Sequence, residues 1–549
     1  MPSNTEIAEV DDDSPILKTK SLSEVYESCN LAISEPSSYE VAAKQDVWLQ
    51  AMQEEIAMIE KNKIWYLTKK PQDKNVIGVK WVYRTKLNPN GSIHKYKARL
   101  VVKGYAQELG VDYGETFAPV ARHDTIKLLV ALAANLGWKL YHMDVKSAFL
   151  NGILEEEIYV EQPQGFEVAG KEDYVYRLNK ALYGLKQAPR AWYSIIDDYL
   201  LQQDFRRSKN EATLYVKGTN SGSQLIVSLY VDDLLLTGGN EHLLNNFKAE
   251  MMKEFEMLDL GEMKYFLGME IEQYKNGIFI SQRKYALDVL KKFGMEDCKS
   301  VATPLVLNEK YVIDDGKEKA NSSSYRSLIG SLLYLTASRP DLMYLVSLLS
   351  RFMSSPNYTH FSAAKRVLRY LKGTFDYGIW YEMGCKRKLE GYVDSDWAGC
   401  EDDMKSTTDY VFSIGSGAFT WISKKQDVVA QSIAEAEYVA AFVAANQAVW
   451  LRKMLVDLGF NQDEACLLKI DNMSAISIAQ NPIQHGRTKH IKVKYHVIRN
   501  FIKEKEISLQ HCDSEEQNAD ILTKSLPKPR FEKLREKLGV TKPNTKEEC

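Results

Sequence analysis

The stretch "SLYVDDLLLTG", Ser228 to Gly238, constrains this chain more than any other. Its apolar residues belong inside a sheet, yet Asp232 and Asp233 stand side by side in the middle of it. Asp is a favoured turn residue, so one reading is a β-hairpin with an acidic tip. The other is a metal site that needs negative charge held on a rigid support. Asp144, in "YHMDVKSAFLNG", ends another apolar strand and bears on the choice. A lone buried Asp is costly unless it is paired or bound to metal. Three carboxylates on neighbouring strands repel one another unless divalent cations lie between them. That is the two-metal arrangement, in which one ion activates an attacking hydroxyl and the other stabilises the leaving oxygen. The hairpin and the metal site are then one feature.

A chain of 549 residues is too long for one core and implies two to four domains. Its net charge of −3 argues against a simple polybasic nucleic-acid binder, but not against an enzyme whose basic residues are clustered. The seven Cys are odd in number and scattered, with no C-x-x-C pair, so free thiols are expected rather than a disulfide frame or a zinc knuckle. "MPSNTEIAEVDDDSP" lacks the basic-then-apolar pattern of a signal peptide, and "LLVALAANLGW" is too short to span a bilayer. A soluble, intracellular protein without a membrane partner is expected.

Along the chain, 1–38 reads as a polar, disordered leader. From Tyr39 a helix is expected, with Trp48, Met52, Ile56 and Ile59 forming one apolar stripe. "NVIGVKWVYRTKLNPNGSIHKYKARLVVKG" reads as a hairpin turning at Asn88–Gly91. "TIKLLVALAANLGW" reads as a buried helix closed by Gly137, and "KLYHMDV" as a strand. Residues 39–275 thus form a mixed sheet with helices on one side, an α+β unit. Residues 276–385 read as largely helical, 386–540 as a second α/β domain, and 541–549 as a frayed tail.

The motifs "KWVYRTKLNPNGSIHKYKARLVVKGYAQ", "ETFAPVARHDTIKLLVALAA", "MDVKSAFLNG", "RLNKALYGLKQAPRAWY", "YVDDLLLTG", "FLGMEI" and "RTKHIKVKYHVIRN" occur in a fixed order. In that order the chain resembles the reverse transcriptase–ribonuclease H region of copia-type long-terminal-repeat retrotransposon Pol polyproteins, from about Glu35 to Leu526. The resemblance implies a right-hand polymerase of fingers, palm and thumb, with 39–275 as fingers and palm and 276–385 as thumb and connection. An α/β ribonuclease H-like domain would follow. Asp144, Asp232 and Asp233 become the polymerase carboxylates, Asp144 and Asp232 ligating metal and Asp233 supporting them.

Other residues gain roles from the same resemblance. Of the cations Lys95, Lys97, Arg99 and Lys103, Arg99 is expected first at the triphosphate and Lys103 second. Phe149 falls where reverse transcriptases keep an aromatic ring under the sugar, selecting against a 2′-hydroxyl; from the sequence alone it is equally a core Phe. Gly184 and Lys186 resemble the turn beside the templating nucleotide. Leu267, Gly268, Met269 and Glu270 resemble the primer grip. Lys365, Arg366, Arg369 and Lys372 recur at helical spacing, either as a face riding on the template–primer backbone or as a solvated helix face.

Asp394, Glu437, Asp471 and Asp520 follow the order of the ribonuclease H carboxylates, which would be a second two-metal site. Asp394 and Asp396 are two apart on one strand and share a face. Ser432 and Glu435 form a capping-box pattern, which gives Glu435 a structural task and leaves Glu437 as the catalytic candidate. His485, His490 and His496 lie among Arg487, Lys489, Lys492, Lys494 and Arg499, a basic stretch suited to a hybrid. Four positions depart from the family's usual residues: Asp409 for Gly, Met404 for Arg, and Ile433–Ala434 for Ser-Thr.

The implied function is an RNA-directed DNA polymerase with a linked ribonuclease H, using two Mg²⁺ or Mn²⁺ ions per active site. Its partners would be an RNA template, a DNA primer, dNTPs, the RNA–DNA hybrid and the rest of a Gag-Pol polyprotein. Its place would be the cytoplasm, in virus-like particles if the element is active, or the nucleus. The rival is a decayed or domesticated copy that binds nucleic acid without catalysis. An RNA-copying RNA polymerase is disfavoured by Phe149 and by the attached hybrid nuclease.

Overall fold

The computed structural model describes residues 35–87, 93–218, 224–480 and 492–543. Most of the expected leader, the Asn88–Gly91 turn, and His485, Arg487, Lys489 and His490 lie outside the described residues. Lys492, Lys494 and His496 lie within the helix Lys492–Lys503, of which only the backbone is described at those positions.

The expected first helix is split into a short turn, Tyr39–Ala42, and α1, Asp46–Lys61. Trp48, Met52 and Ile59 of its stripe are buried. Strands β1 (Val79–Leu87) and β2 (Ile93–Val102) form a two-stranded antiparallel ladder with Val82 opposite Arg99 and Arg84 opposite Lys97. Trp48 and Met52 reach this hairpin, where Tyr83 and Ala98 share their cluster. Helix α2, His123–Leu136, is buried along almost its whole length and ends at Gly137, whose φ of 67° is the left-handed conformation that terminates helices.

The central sheet has six strands. β3 (Leu140–Val145) is second from one edge, flanked by the edge strand Met257–Glu262 on one side and by β5 (Asp233–Gly238) on the other; β5 pairs with β4 (Leu225–Tyr230), and all are antiparallel. Period-two alternation divides its faces. Met143, Val145, Leu234 and Leu236 bury against the cluster containing Trp192, Ile196 and Phe247, residues of the helices Ala188–Gln202 and Glu241–Glu254. Leu140 and Leu235 face the main core with α2.

A second sheet changes the expected division of the chain. Tyr265–Phe266, Met269–Tyr274 and Gly277–Ser281 run on into Gly378–Glu382 and then Val540–Thr541. The boundary expected at 275/276 therefore falls in the turn of a hairpin, and the section 276–385 begins and ends in strands. Between them lie the helices Arg283–Lys292, Ser322–Leu335, Met343–Ser350 and Tyr358–Gly373.

The last section carries five strands in the spatial order third, second, first, fourth, fifth. These are β6 (Leu389–Ser395), β7 (Thr407–Ile414), β8 (Ala418–Lys425), β9 (Cys466–Ile470) and β10 (Ile507–His511). The first three pair antiparallel, while β9 runs parallel to both β6 and β10. The crossover from β8 to β9 contains α3, Ile433–Asp457. This 25-residue helix is long and apolar enough to cross a membrane, yet just over half of its most apolar window is buried inside the protein. It packs on the sheet, and one continuous core joins it to α2 and the helices before it.

Candidate active sites

The register of the central sheet brings the first acids together. Asp233 opens β5 directly opposite Asp144, the penultimate residue of β3, so their side chains share a face. Asp232 lies in the two-residue turn with Val231, which holds φ at 57°, an unusual conformation for a β-branched residue. Two bonds hold that turn: Trp192 Nε1 donates to the Val231 carbonyl at 2.6 Å, and the Val145 N–H donates to the Asp232 carbonyl at 2.8 Å. Burial, then Asp232, then Asp233 raise the pKa of Asp144. Burial also raises that of Asp232, with Asp233 adding to it and Arg99 and Lys97 opposing. Asp233 is held differently. Its Oδ1 lies 2.7 Å from His142 Nε2, which donates to the carboxylate, and His142 meets the Phe266 ring edge-on at 5.4 Å.

Lys97 and Arg99, two apart on β2, supply the facing positive charge, and Lys86 acts on Asp144. The Arg99 guanidinium lies over the Tyr183 ring at 4.6 Å, and Tyr183 meets Phe149 edge-on at 5.7 Å. Half-buried Phe149 touches two hydrophobic clusters, so it has a packing role whatever else it does. Lys103 instead lies along Gly78 beside the Glu161 carboxylate. Gly184 has φ of 93°, and a Cβ there would fall 2.2 Å from the Val102 carbonyl, so only glycine fits. Lys186 is engaged: its Nζ donates to the Gln107 carbonyl at 3.2 Å and to Tyr113 Oη at 3.1 Å.

The residues expected at a primer grip divide. Leu267 and Gly268 form a tight turn with φ of 49° and 80°, and the Leu267 carbonyl accepts from Tyr334 Oη at 3.1 Å. Met269 is buried in the core, and Glu270 Oε1 accepts the Lys284 N–H at 2.7 Å at the start of a helix. Those two side chains are occupied by the fold. The cationic helix face is also partly spent: Arg369 Nε donates to the Lys299 carbonyl at 3.0 Å and Arg366 Nη2 to Thr303 Oγ1 at 3.4 Å.

The second set assembles more tightly. Asp394 near the end of β6, Glu437 on α3 and Asp471 just past β9 bring carboxylate oxygens within 4.8 Å of one another, the one such acidic group among the described residues. Glu437 Oε1 accepts the Ser395 N–H at 3.2 Å, while its Oε2 is buried with no hydrogen-bond partner. Burial, then Asp394 and Asp471, push the Glu437 carboxyl up to about 10. Such a set of hard oxygen donors suits a divalent cation. Asp520, buried in the turn Asn518–Leu522, pairs with Arg530 and with Lys524 at 2.6 Å.

The neighbours behave as follows. Ser432 Oγ accepts the Glu435 N–H at 3.2 Å as expected, but Glu435 Oε2 reaches the Gln431 N–H at 3.1 Å, one residue earlier than a capping box requires. Asp396 lies past the end of β6 and turns away to accept from the Thr407 N–H and, at 3.1 Å, its hydroxyl. Asp409 sits opposite Asp394 in the ladder, fully buried, and burial holds its carboxyl well above the usual range. His142, Tyr183 and Lys524 were not singled out from sequence. Only His142 had a usable signal, its place two residues before Asp144 on the same strand face.

Mixed α/β sheets carrying two separate clusters of carboxylates thus define the molecule. A family described as "Reverse transcriptase (RNA-dependent DNA polymerase)" matches residues 62–307. The chain is 40% identical over 519 residues to the Retrovirus-related Pol polyprotein from transposon RE2 of Arabidopsis thaliana, covering 94% of this chain and 36% of that one. It is 36% identical over 302 residues to a transposon Ty5-1 protein of Saccharomyces cerevisiae, covering 54% of this chain and 98% of that one. The chain belongs to the reverse transcriptase family of copia-type transposon Pol polyproteins. It spans only about a third of the length of the RE2 polyprotein. A foamy viral protease-reverse transcriptase, solved in complex with RNA/DNA hybrid, superimposes at a TM-score of 0.48 with 12% identity, covering 87% of this chain and 55% of that one. At that level the assignment rests on the sequence relatives.

Proposed function

We propose that this chain is an RNA-directed DNA polymerase with a linked ribonuclease H, copying retrotransposon RNA and hydrolysing the RNA of the resulting hybrid. The observation that carries the polymerase reading is the ladder register that sets Asp144 against Asp233, with Asp232 on a pinned turn facing Lys97 and Arg99. Asp144 and Asp232 would hold Mg²⁺ or Mn²⁺, two ions serving the site. The metal supplies activation of the primer hydroxyl and neutralisation of phosphate charge. The chain's own residues do the rest. Arg99, with its guanidinium oriented on Tyr183, and Lys97 draw in the triphosphate; Phe149 lies beside that stack, where it would meet the sugar; the Leu267–Gly268 turn supports the primer end.

The nuclease reading is supported by the five-stranded order with its parallel pairs, by α3 laid on the sheet, and by the Asp394–Glu437–Asp471 cluster. Template RNA, primer DNA, dNTPs and hybrid are the partners this reading requires. The buried Asp409 opposite Asp394 favours a narrower second reading, in which polymerisation persists and hydrolysis is lost. A labelled RNA–DNA hybrid incubated with the full chain and Mn²⁺ separates the two: cleavage of the RNA strand supports the linked nuclease, and an intact strand beside active primer extension selects the second reading.

A further inference from the structure

The four acids of the second site are not equivalent in charge balance. On one side, Glu437 and Asp471 stand beside Asp394 with no ion pair of their own among the described residues, and Glu437 Oε2 has no hydrogen-bond partner. On the other, Lys524 bridges Asp394 and Asp520. Its Nζ is 2.6 Å from Asp520 Oδ1 and 3.6 Å from Asp394 Oδ2. Thr523 Oγ1 donates to the same Asp394 oxygen at 2.5 Å, and Arg530 holds Asp520 from the far side. Asp394 and Asp520 are both buried, so the ammonium offsets a repulsion that would otherwise be severe. A lysine head is a compact charge on a flexible stem and can leave without moving the backbone. It has somewhere to go. Lys524 also lines a cavity of about 280 Å³, in which the acids Glu309, Asp396 and Asp402 stand among Lys310, Arg351 and Lys425.

We propose that Lys524 is a built-in cation holding the place of one of the two divalent ions: it bridges Asp394 and Asp520 until a metal ion enters there, then withdraws into the adjoining cavity. This rests on reading the four acids as a cation-binding site. The bridge keeps the two carboxylates apart from bulk water and spaced for a cation while no metal is bound. Entry of the ion exchanges one positive charge for two, and the displaced ammonium turns into the adjoining cavity, where Glu309 and Asp402 lie.

The test needs no catalysis. The full chain is acylated with acetic anhydride, with and without saturating Mn²⁺, and modification is read lysine by lysine by mass spectrometry. Lys524 is expected to react severalfold faster with Mn²⁺ present, while Lys537, paired with Glu516 on the surface, is unchanged. In an Asp144→Asn, Asp232→Asn background, which removes the other carboxylate pair, Lys524→Gln is expected to bind Mn²⁺ severalfold more tightly, and Lys524→Arg to bind as the parent does. Unaltered reactivity of Lys524 at saturating Mn²⁺ overturns the proposal, and should Lys524→Gln fail to fold, that readout on the parent chain decides alone. A chain that exposes Lys524 on binding Mn²⁺ yet never cleaves a hybrid supports this inference and overturns the nuclease reading.

Discussion

His142 Nε2 lies 2.7 Å from Asp233 Oδ1, tying the first residue of one central strand to the middle of its neighbour. The same imidazole meets Phe266, the residue before the Leu267–Gly268 turn, so one ring links the carboxylate hairpin to the strand that enters that turn. Burial and neighbouring carboxylates raise the pKa of both Asp144 and Asp232, opposed by Lys86 at Asp144 and by Arg99 and Lys97 at Asp232.

Replacing His142 by Phe keeps the aromatic contact and removes the donor. Loss of a partner that orients a metal-site carboxylate commonly costs about 10–100-fold in activity. His142→Phe is therefore expected to lower kcat for dNTP addition with little change in KM, and His142→Gln to recover part of the loss. An equal kcat in all three proteins would show that the bond orients nothing the reaction uses.

Phe149 stands at the end of the Arg99–Tyr183 stack. Phe149→Val is expected to raise ribonucleotide incorporation relative to deoxynucleotide incorporation, because the ring no longer fills the space of a 2′-hydroxyl. Competition assays on one primed template read the ratio. An unchanged ratio with a lowered melting temperature would assign Phe149 to packing alone.

Lys127 gives a pH signature at the junction of α2 with the last section. Its ammonium lies 3.4 Å from the centre of the Trp421 ring, and Asp124 is 3.6 Å away. Burial outweighs both and pulls its pKa from 10.5 down to about 8. The native state gives up this proton before the unfolded chain does, so the unfolded state binds more protons between those values and stability rises with pH across that window. At about 1.4 kcal/mol per pKa unit, the effect is at most a few kcal/mol. Melting curves from pH 7 to 10.5 should show the parent gaining on Lys127→Met as pH rises: the variant is the more stable at pH 7, and its advantage shrinks toward pH 10.5. An advantage independent of pH would contradict the assignment.

Glu435 and Glu437 sit two residues apart on α3 and separate stability from chemistry. Glu435 tends the helix start through the Gln431 N–H, so Glu435→Ala is expected to cost about 0.5–2 kcal/mol and to leave hybrid cleavage in folded molecules. Glu437→Gln should leave the melting temperature nearly unchanged while cleavage falls to background. Primer extension should persist in both. Cleavage that survives Glu437→Gln but not Glu435→Gln would move the active carboxylate by two positions.

What could be read from the sequence was local. The stripe of α1, the Gly137 stop and the acid-tipped hairpin depend on residues within a turn or a strand of one another, and periodicity reveals them. The strand run from Met269–Tyr274 through Gly378–Glu382 to Val540–Thr541 was not legible, because its partners lie far apart in the chain and no period connects them. The same holds for Lys524, a surface-type residue by composition that the turn after Asp520 drives between two buried acids. Arg366 and Arg369 looked like a free cationic face because helical spacing is visible, whereas the 299–303 segment they bind is not.

The central claim is polymerisation at Asp144 and Asp232, and extension of a 5′-labelled DNA primer on an RNA template with dNTPs and Mg²⁺ or Mn²⁺ tests it most directly. The parent is expected to extend the primer, while Asp232→Asn, which keeps the shape and removes the ligand charge, melts at the parental temperature and does not extend it. Equal extension by Asp232→Asn, or none by the folded parent with either metal, would contradict the account.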